Sequence, residues 1–310
     1  MTPTPVYLGL DVAKATLAAH LAGQGFTLTN NPAGHATLCA RIAAHGAPVQ
    51  VICEASGGYE RPVAAALRAA QVPVSVLHPT RARKLADGLG FFAKTDAVDA
   101  EALEAIGAKL APAPTPAPAP GQERLAALVS RREALTELCR REKHHRETTA
   151  DKELLRDIAQ SLAALQKRLA KIERLIAAHL HGIPELEAKA VRLQQAPGVG
   201  PVAAATLLAV LPELGSGHRN RIAALAGLAP RNRDSGAYRG PRHVHGGRPK
   251  ARRILYLCAL SAARHHPKLH PFYTRLRTAG KTPKVALIAV ARKLLIFLNR
   301  TLKDPSPPQP

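Results

Sequence analysis

The sequence predicts an α/β domain, then a charged helical segment, then a mostly α-helical C-terminal domain. Three observations carry this. Short apolar runs rich in β-branched residues alternate with helical spacing up to about residue 110. A Pro/Ala run, APAPTPAPAP at 111–120, cannot propagate a helix and tends to polyproline extension. Beyond it, apolar residues recur at helical spacing almost to the end of the chain.

Taken in order, VYLGLDV reads as a strand, with TLAAHLA and GFTLTNN as antiparallel partners. HATLCARIAAHG has helical spacing, VQVICEA is a buried strand, YERPVAAALRAA a helix and VPVSVLH a third buried strand. Helices then run from Pro79 to about Leu110. The order βββαβαβα fits a sheet with helices on its faces. After the Pro/Ala run, Leu155, Ile158, Leu162, Leu165, Leu169, Ile172 and Ile176 follow the three-and-four rhythm of a coiled coil. Such a stripe can also pack on its own domain; the heptads favour a partner helix and a homodimer.

The last part opens with APGVGPVAAATLLAVLPELG. The turn bearing Gly198 and Gly200 before a small-residue helix has a helix-hairpin-helix form, in which turn amides and a helix N-terminus face a phosphate. Pro-Gly turns also join ordinary helices. PRNRDSGAYRGPRHVHGGRP, 230–249, reads as a loop of Arg residues interleaved with Tyr238, His243 and His245. Helices are expected in the segments after it, and a disordered tail at 305–310. The expected domains are 1–112, a linker at 113–120, a coiled-coil region at 121–190 and a C-terminal domain at 191–304.

The chain of 310 residues carries 44 Lys and Arg against 22 Asp and Glu, a net charge of +22. Residues 191–310 hold 21 of the basic side chains and 3 of the acidic ones. A surplus placed this way suits a polyanion, because Lys and Arg that neutralise phosphates release condensed counterions. The four cysteines are scattered without metal-ligand spacing and read as reduced core residues. No window approaches the roughly 20 apolar residues of a membrane span, and no leader precedes the first strand, so a soluble intracellular protein without a membrane partner is expected.

Against that basic background the acids of the first part stand out by position. Asp11 ends the first strand run and Glu54 the fourth, while Asp96 and Asp99 lie at i and i+3 on the last helix and share its face. Carboxylates gathered in one crevice repel unless cations neutralise them. Mg2+ is the natural cation, two ions about 3.5 to 4 Å apart clamping the attacking and leaving oxygens of a phosphodiester. Each acid taken alone could be a cap or a solvated residue, the reading given to Asp87, Glu101 and Glu104.

The motifs GLDVAKATL, CEASGGYERPVA, LHPTRARKLADGLGFFAKTDAVDAEAL, PGVGPVAAATLLA, ALAGLAPRNRDSG and GGRPKARRILYLCALSA, in this order, closely resemble the DEDD transposases of insertion sequences, the IS-one-ten family. The resemblance spans roughly residues 5–302 and implies an RNase H-like (RuvC-like) N-terminal domain, a coiled coil and a C-terminal transposase domain. It places the metal ligands, for Mg2+ with Mn2+ able to substitute, on Asp11, Glu54, Asp96 and Asp99, and a serine nucleophile on Ser235. It further implies donor and target DNA, a structured non-coding guide RNA, a dimer that becomes a tetramer in the synaptic complex, and a prokaryotic, nucleoid-associated setting. Read without the resemblance, Ser235 is an ordinary turn residue. Arg231, Arg233, Arg239, Arg242, Arg248, Arg252 and Arg253 are candidate phosphate contacts, with Gly198 and Gly200 at the turn, and Tyr238 could stack on a base. The rival readings are a RuvC-like nuclease that uses water on branched DNA, and a non-catalytic nucleic-acid binder.

Overall fold

Alternate residues of the first strand, β1 (Val6–Val12), point to opposite faces of a five-stranded sheet. It pairs antiparallel with β2 (Thr16–Leu21), which pairs antiparallel with β3 (Gln24–Thr29). On its other side β1 pairs in parallel with β4 (Val49–Glu54), and β4 with β5 (Val74–Leu77). The resulting order, β3-β2-β1-β4-β5, is the RNase H-like arrangement that the family resemblance implies. The structure is a computed structural model describing residues 5–93, 95–231, 234–236, 238–240 and 242–303. It divides into two compact units, 1–117 and 118–310.

In the first unit, Leu8, Leu10 and Val12 of β1 join Val49, Val51 and Cys53 of β4 in one core, closed by α1 (Pro32–Ala44) and α2 (Glu60–Ala69). The opposite parity, Tyr7 and Ile52, packs with Leu103 and Ile106 of α4 (Asp96–Leu110) and with Ala82 of α3 (Pro79–Gly88). The apolar runs are thus buried on both sides, as parallel strands with helices on both faces require. Gly9 lets α4 approach: a Cβ there would lie 1.9 Å from the Ala100 carbonyl oxygen and 2.4 Å from Glu104 N. Gly107 on α4 makes the reciprocal allowance for the Tyr7 ring.

The Pro/Ala segment begins as part of this unit. Thr115 N donates to Val74 O at 2.8 Å, and Val76 N donates to Thr115 Oγ1 at 2.9 Å, so the segment runs along the outer edge of β5. Buried Ser75 and Gln50 donate to the Pro112 carbonyl at 2.9 and 2.6 Å. Covering the edge protects a strand that would otherwise offer unpaired amides to another chain.

The second unit begins with a helical hairpin, α5 (Gln122–Thr148) and α6 (Lys152–His181), capped at its turn by Asp151, whose carboxylate accepts from Glu153 N and Leu154 N. Arg132 pairs with Glu173, and Cys139 packs on Ile158 and Leu162, so the two helices run antiparallel. The apolar stripe of α6 is used here. Ile158, Leu162 and Leu165 meet α5, whereas Ile172 and Ile176 join the core of the helices that follow. These five residues therefore follow the alternative reading of the stripe, packing within their own unit on α5 and on the core of the following helices.

Those helices are α7 (Pro184–Gln194), α8 (Pro201–Val210), α9 (Arg219–Leu225), α10 (Pro249–His265), α11 (Leu269–Thr278) and α12 (Pro283–Lys303). Leu125 and Val129 of α5 share their core, so the hairpin and the C-terminal helices expected as separate segments are one unit. Where a loop was expected between α9 and α10 there are two small antiparallel ladders. β6 (Pro230–Arg231) pairs with β9 (His243–Val244), and β7 (Asp234–Ser235) with β8 (Tyr238–Arg239). Two-residue strands without apolar alternation leave no periodic signal in a sequence. The expected tail at 305–310 lies outside the described residues. No described helix is long and apolar enough to cross a membrane. Cys53, Cys139 and Cys258 are buried free thiols and Cys39 is partly buried.

Candidate active site

Strand parity decides which acids meet. Tyr7, Gly9 and Asp11 share one face of β1, and Ile52 and Glu54 share the same face of β4. Leu10 is paired with Cys53, so Asp11 and Glu54 follow side by side at the ends of parallel strands about 4.8 Å apart. α4 lies over this face. Its cap, Thr95, accepts from Val98 N, and its first turn carries Asp96 and Asp99. Helix N-terminal amides favour nearby negative charge, which eases the gathering of acids.

Asp11, Glu54, Asp96 and Asp99 line a single cavity of about 420 Å3 in the first unit. Burial pushes the Asp11 carboxyl up from 3.8 to about 6, with the charges of Asp96, Asp99 and Glu54 adding to the rise and a hydrogen bond from the Val12 backbone opposing it. All four donors are carboxylate oxygens, the chemistry that a hard divalent cation takes. Among the described residues no three His, Cys, Asp or Glu side chains stand close enough together to hold an ion as they are placed. The four acids share one cavity, and the charges of Asp96, Asp99 and Glu54 add to the rise at Asp11, so a cation bound there would relieve their repulsion.

Two cavity residues escaped the sequence reading. Thr80 and Arg83, on the first turns of α3, line the same space. Arg83 Nε is paired with Asp87 at 2.9 Å, and its Nη2 donates to the Phe92 carbonyl at 3.2 Å. The available signal was positional: β5 is the third parallel strand, and α3 starts directly after it, at the edge where Asp11 and Glu54 end. Glu104, read as a solvated residue, is corrected. It pairs with His20 of β2 and accepts from Ala22 N at 2.8 Å, tying α4 to the β2–β3 hairpin.

Ser235 belongs to the second unit, exposed on the β7–β8 hairpin, whose turn uses Gly236 at φ +53. The arginines around it divide by what they already hold. Arg248 makes a two-pronged pair with Glu213, both contacts 2.6 Å, and donates to Val210 O at 2.9 Å; its fork is committed inside the unit. Arg252 Nη1 donates to the carbonyls of Gly246 at 2.9 Å and Gly227 at 3.3 Å, stapling the loop. Arg231, Arg239 and Arg242 are exposed around the ladders, and Arg253 lines a groove with Lys250 and Arg140. Arg233 and the side chain of Tyr238 lie outside the described residues.

Gly198 packs closely against α10. At φ +93, a Cβ there would come 2.7 Å from Cys258 O of α10. Gly200, at the exposed N-terminus of α8, has open space in front of it. His243 lies on β9, and no metal cluster forms around it or His245 among the described residues.

Comparison with known proteins joins the two halves. Residues 8–154 match the family model described as a transposase of the DEDD, IS110 type, and residues 190–274 match the Transposase IS116/IS110/IS902 family. Pilin gene-inverting proteins of Moraxella lacunata and Moraxella bovis are each 28% identical over 319 residues, covering 97% of this chain and 97% of their own. A 44.8 kDa protein of insertion element IS116 from Streptomyces clavuligerus is 31% identical over 167 residues, 50% of this chain and 40% of its own. Among solved structures, T. thermophilus RuvC in complex with a Holliday junction substrate covers 36% of this chain and 99% of its own, at 18% identity and a TM-score of 0.27. With the carboxylate half and the arginine-rich half both matched by models of one group, the chain belongs to the IS116/IS110/IS902 transposase family and is a DNA transposase enzyme.

Proposed function

We propose that the carboxylate cavity is the strand-cleavage site of a DNA strand-transfer reaction in which Ser235 is the nucleophile. The observation that carries this is the convergence of four acids from three elements on one cavity in a chain of net charge +22. Asp11, Glu54, Asp96 and Asp99 would hold Mg2+, with Mn2+ as a substitute, and the bound ions supply charge neutralisation at the scissile phosphate.

The chain's own groups do the remaining work. β1, β4 and α4 hold the carboxylates in register. Arg231, Arg233, Arg239, Arg242 and Arg253 contact phosphates, while Arg248 and Arg252 shape the loop that presents the serine. Ser235 Oγ attacks phosphorus in line: the Oγ–P bond forms as the P–O bond to the departing sugar oxygen breaks, and the hydroxyl proton reaches that oxygen by way of water. The phosphoserine keeps the energy of the broken phosphodiester, so the ends rejoin without ATP. Pairing of a structured guide RNA with donor and target strands selects the site. The serine of one protomer serves the carboxylates of another, so cleavage waits for a dimer or tetramer to assemble.

The test mixes protein, Mg2+, the element's non-coding RNA and labelled junction DNA, then denatures the sample. Label retained on protein, and lost in both Ser235→Ala and Asp99→Ala, is expected. Cut DNA with free ends and no adduct would replace the serine mechanism with hydrolysis by water. Undiminished cleavage in Asp99→Ala would remove the carboxylate cavity from catalysis altogether.

A further inference from the structure

Phe92 is the most exposed large apolar side chain among the described residues, at 76%, in a chain with only 5 Phe, 5 Tyr and no Trp. It sits in the short connection between α3 and α4, the helices that flank the carboxylate cavity. The backbone that carries it is held. Phe91 N donates to Ala86 O at 3.0 Å, Leu89 N to Leu85 O at 3.0 Å, and the Phe92 carbonyl accepts from Arg83 at 3.2 Å. An aromatic side chain held in water forgoes the burial that usually places it in a core.

Two features of the surroundings indicate what covers it. Arg83 lines the carboxylate cavity and bonds to the Phe92 carbonyl, so the Phe92 backbone is one guanidinium away from the cavity. The ten residues of α3 also carry Arg81, Arg83 and Lys84 against the single acid Asp87, a basic stretch in a unit whose charges are otherwise nearly balanced. An exposed ring beside cations, next to a cleft suited to a phosphodiester, matches a nucleic-acid strand, whose bases offer π-faces and whose backbone offers phosphates. Inside a duplex those faces are already stacked on one another, so the ring can reach only a base freed from pairing.

We propose that Phe92 is a stacking platform for an unpaired base of the strand whose phosphate lies at the carboxylate cavity, with Arg83 contacting the adjacent phosphate. This rests on the strand-cleavage reading of that cavity. The platform keeps the flanking base out of the helix and sets the position of the phosphate relative to Asp96 and Asp99, which follow Phe92 by only a few residues.

The chain lacks tryptophan, so Phe92→Trp in the full-length protein creates a single reporter at this position. It is titrated to saturation with fluorescein-labelled single-stranded DNA, reading the label's anisotropy and, with unlabelled strand, the tryptophan emission. Emission should be quenched in step with binding, and the quench should shrink when an abasic strand of equal length replaces the first. Phe92→Ala should weaken single-strand binding about tenfold with an unchanged salt slope, because no phosphate contact is lost, and Phe92→Tyr should restore it. Emission that does not move at saturation overturns the proposal, as does a blue-shifted emission already present without DNA, which would mean that protein covers the ring. Adding Asp99→Asn to Phe92→Trp separates this proposal from the reading beneath it. Loss of cleavage with the quench retained supports both, whereas full cleavage removes the catalytic reading whatever the quench shows.

Discussion

Gly9→Ala tests the packing that positions the acids. The added Cβ would stand 1.9 Å from the Ala100 carbonyl oxygen and 2.4 Å from Glu104 N, against the 3.4 Å or more of an ordinary contact. Both struck atoms are helix backbone, which cannot rotate away as a side chain can, so α4 must recede from β1 by about 1.5 Å. Ala100 directly follows Asp99, so the displacement arrives at the carboxylates that must converge with Asp11. Overpacking of this kind costs about 1–3 kcal/mol. A misplacement of about 1 Å at a catalytic group can cost on the order of 100-fold in rate. We therefore expect Gly9→Ala to remain folded by circular dichroism, to lose about 1–3 kcal/mol in urea denaturation, and to cleave labelled junction DNA on the order of 100-fold more slowly under single-turnover conditions. Gly25→Ala is the control, since its Cβ would meet only the His20 side chain at 3.7 Å. Wild-type cleavage by Gly9→Ala would show that the closeness of α4 to β1 does not set the site.

Asp11→Asn should raise the melting temperature of the metal-free protein at pH 7.5, because it removes a half-buried charge facing Asp96, Asp99 and Glu54, and it should abolish cleavage; Mg2+ is expected to raise the melting temperature of the wild type and not of the variant, with differential scanning fluorimetry reading both thermal effects. Arg248→Ala and Arg253→Ala should separate: the first loses about 1–3 kcal/mol of stability through Glu213 and Val210, and the second leaves stability unchanged and lowers the slope of log affinity against log salt by about 1. His266 is buried, accepts from Lys268 N and has no partner for Nε2 among the described residues, and burial holds its pKa below the ordinary 6.5. The unfolded chain therefore binds the proton more readily, so this contribution to stability is complete above about pH 6.5 and is lost as pH falls below it; urea midpoints at pH 7.5 and 5.5 should converge in His266→Gln.

Much of the first unit was legible because its pattern is local. Runs such as VICEA name their own strands, and the i, i+3 spacing of Asp96 and Asp99 puts both on one helical face whatever surrounds them. That Asp11 and Glu54 end their strands could likewise be read along the chain. Glu104 could not be distinguished from Glu101 in this way, since only the approach of β2 gives it His20 and the Ala22 amide. The arginines of 230–253 also look alike in sequence. Arg248 and Arg252 differ from Arg253 only because Glu213, Gly227 and Gly246 are folded against them.

By itself, then, the sequence determined the strand and helix order, the placing of the excess positive charge in the last third, and the acids worth watching, because periodicity, composition and spacing are properties of neighbours along the chain. The tertiary structure decided which groups meet: the carboxylates in one cavity with Arg83 and Thr80, the α6 stripe against α5 and its own unit's core, Gly198 under α10, and Phe92 left in water. Each of these depends on strand register and on helix faces brought together from distant segments, and no window along the chain contains both partners.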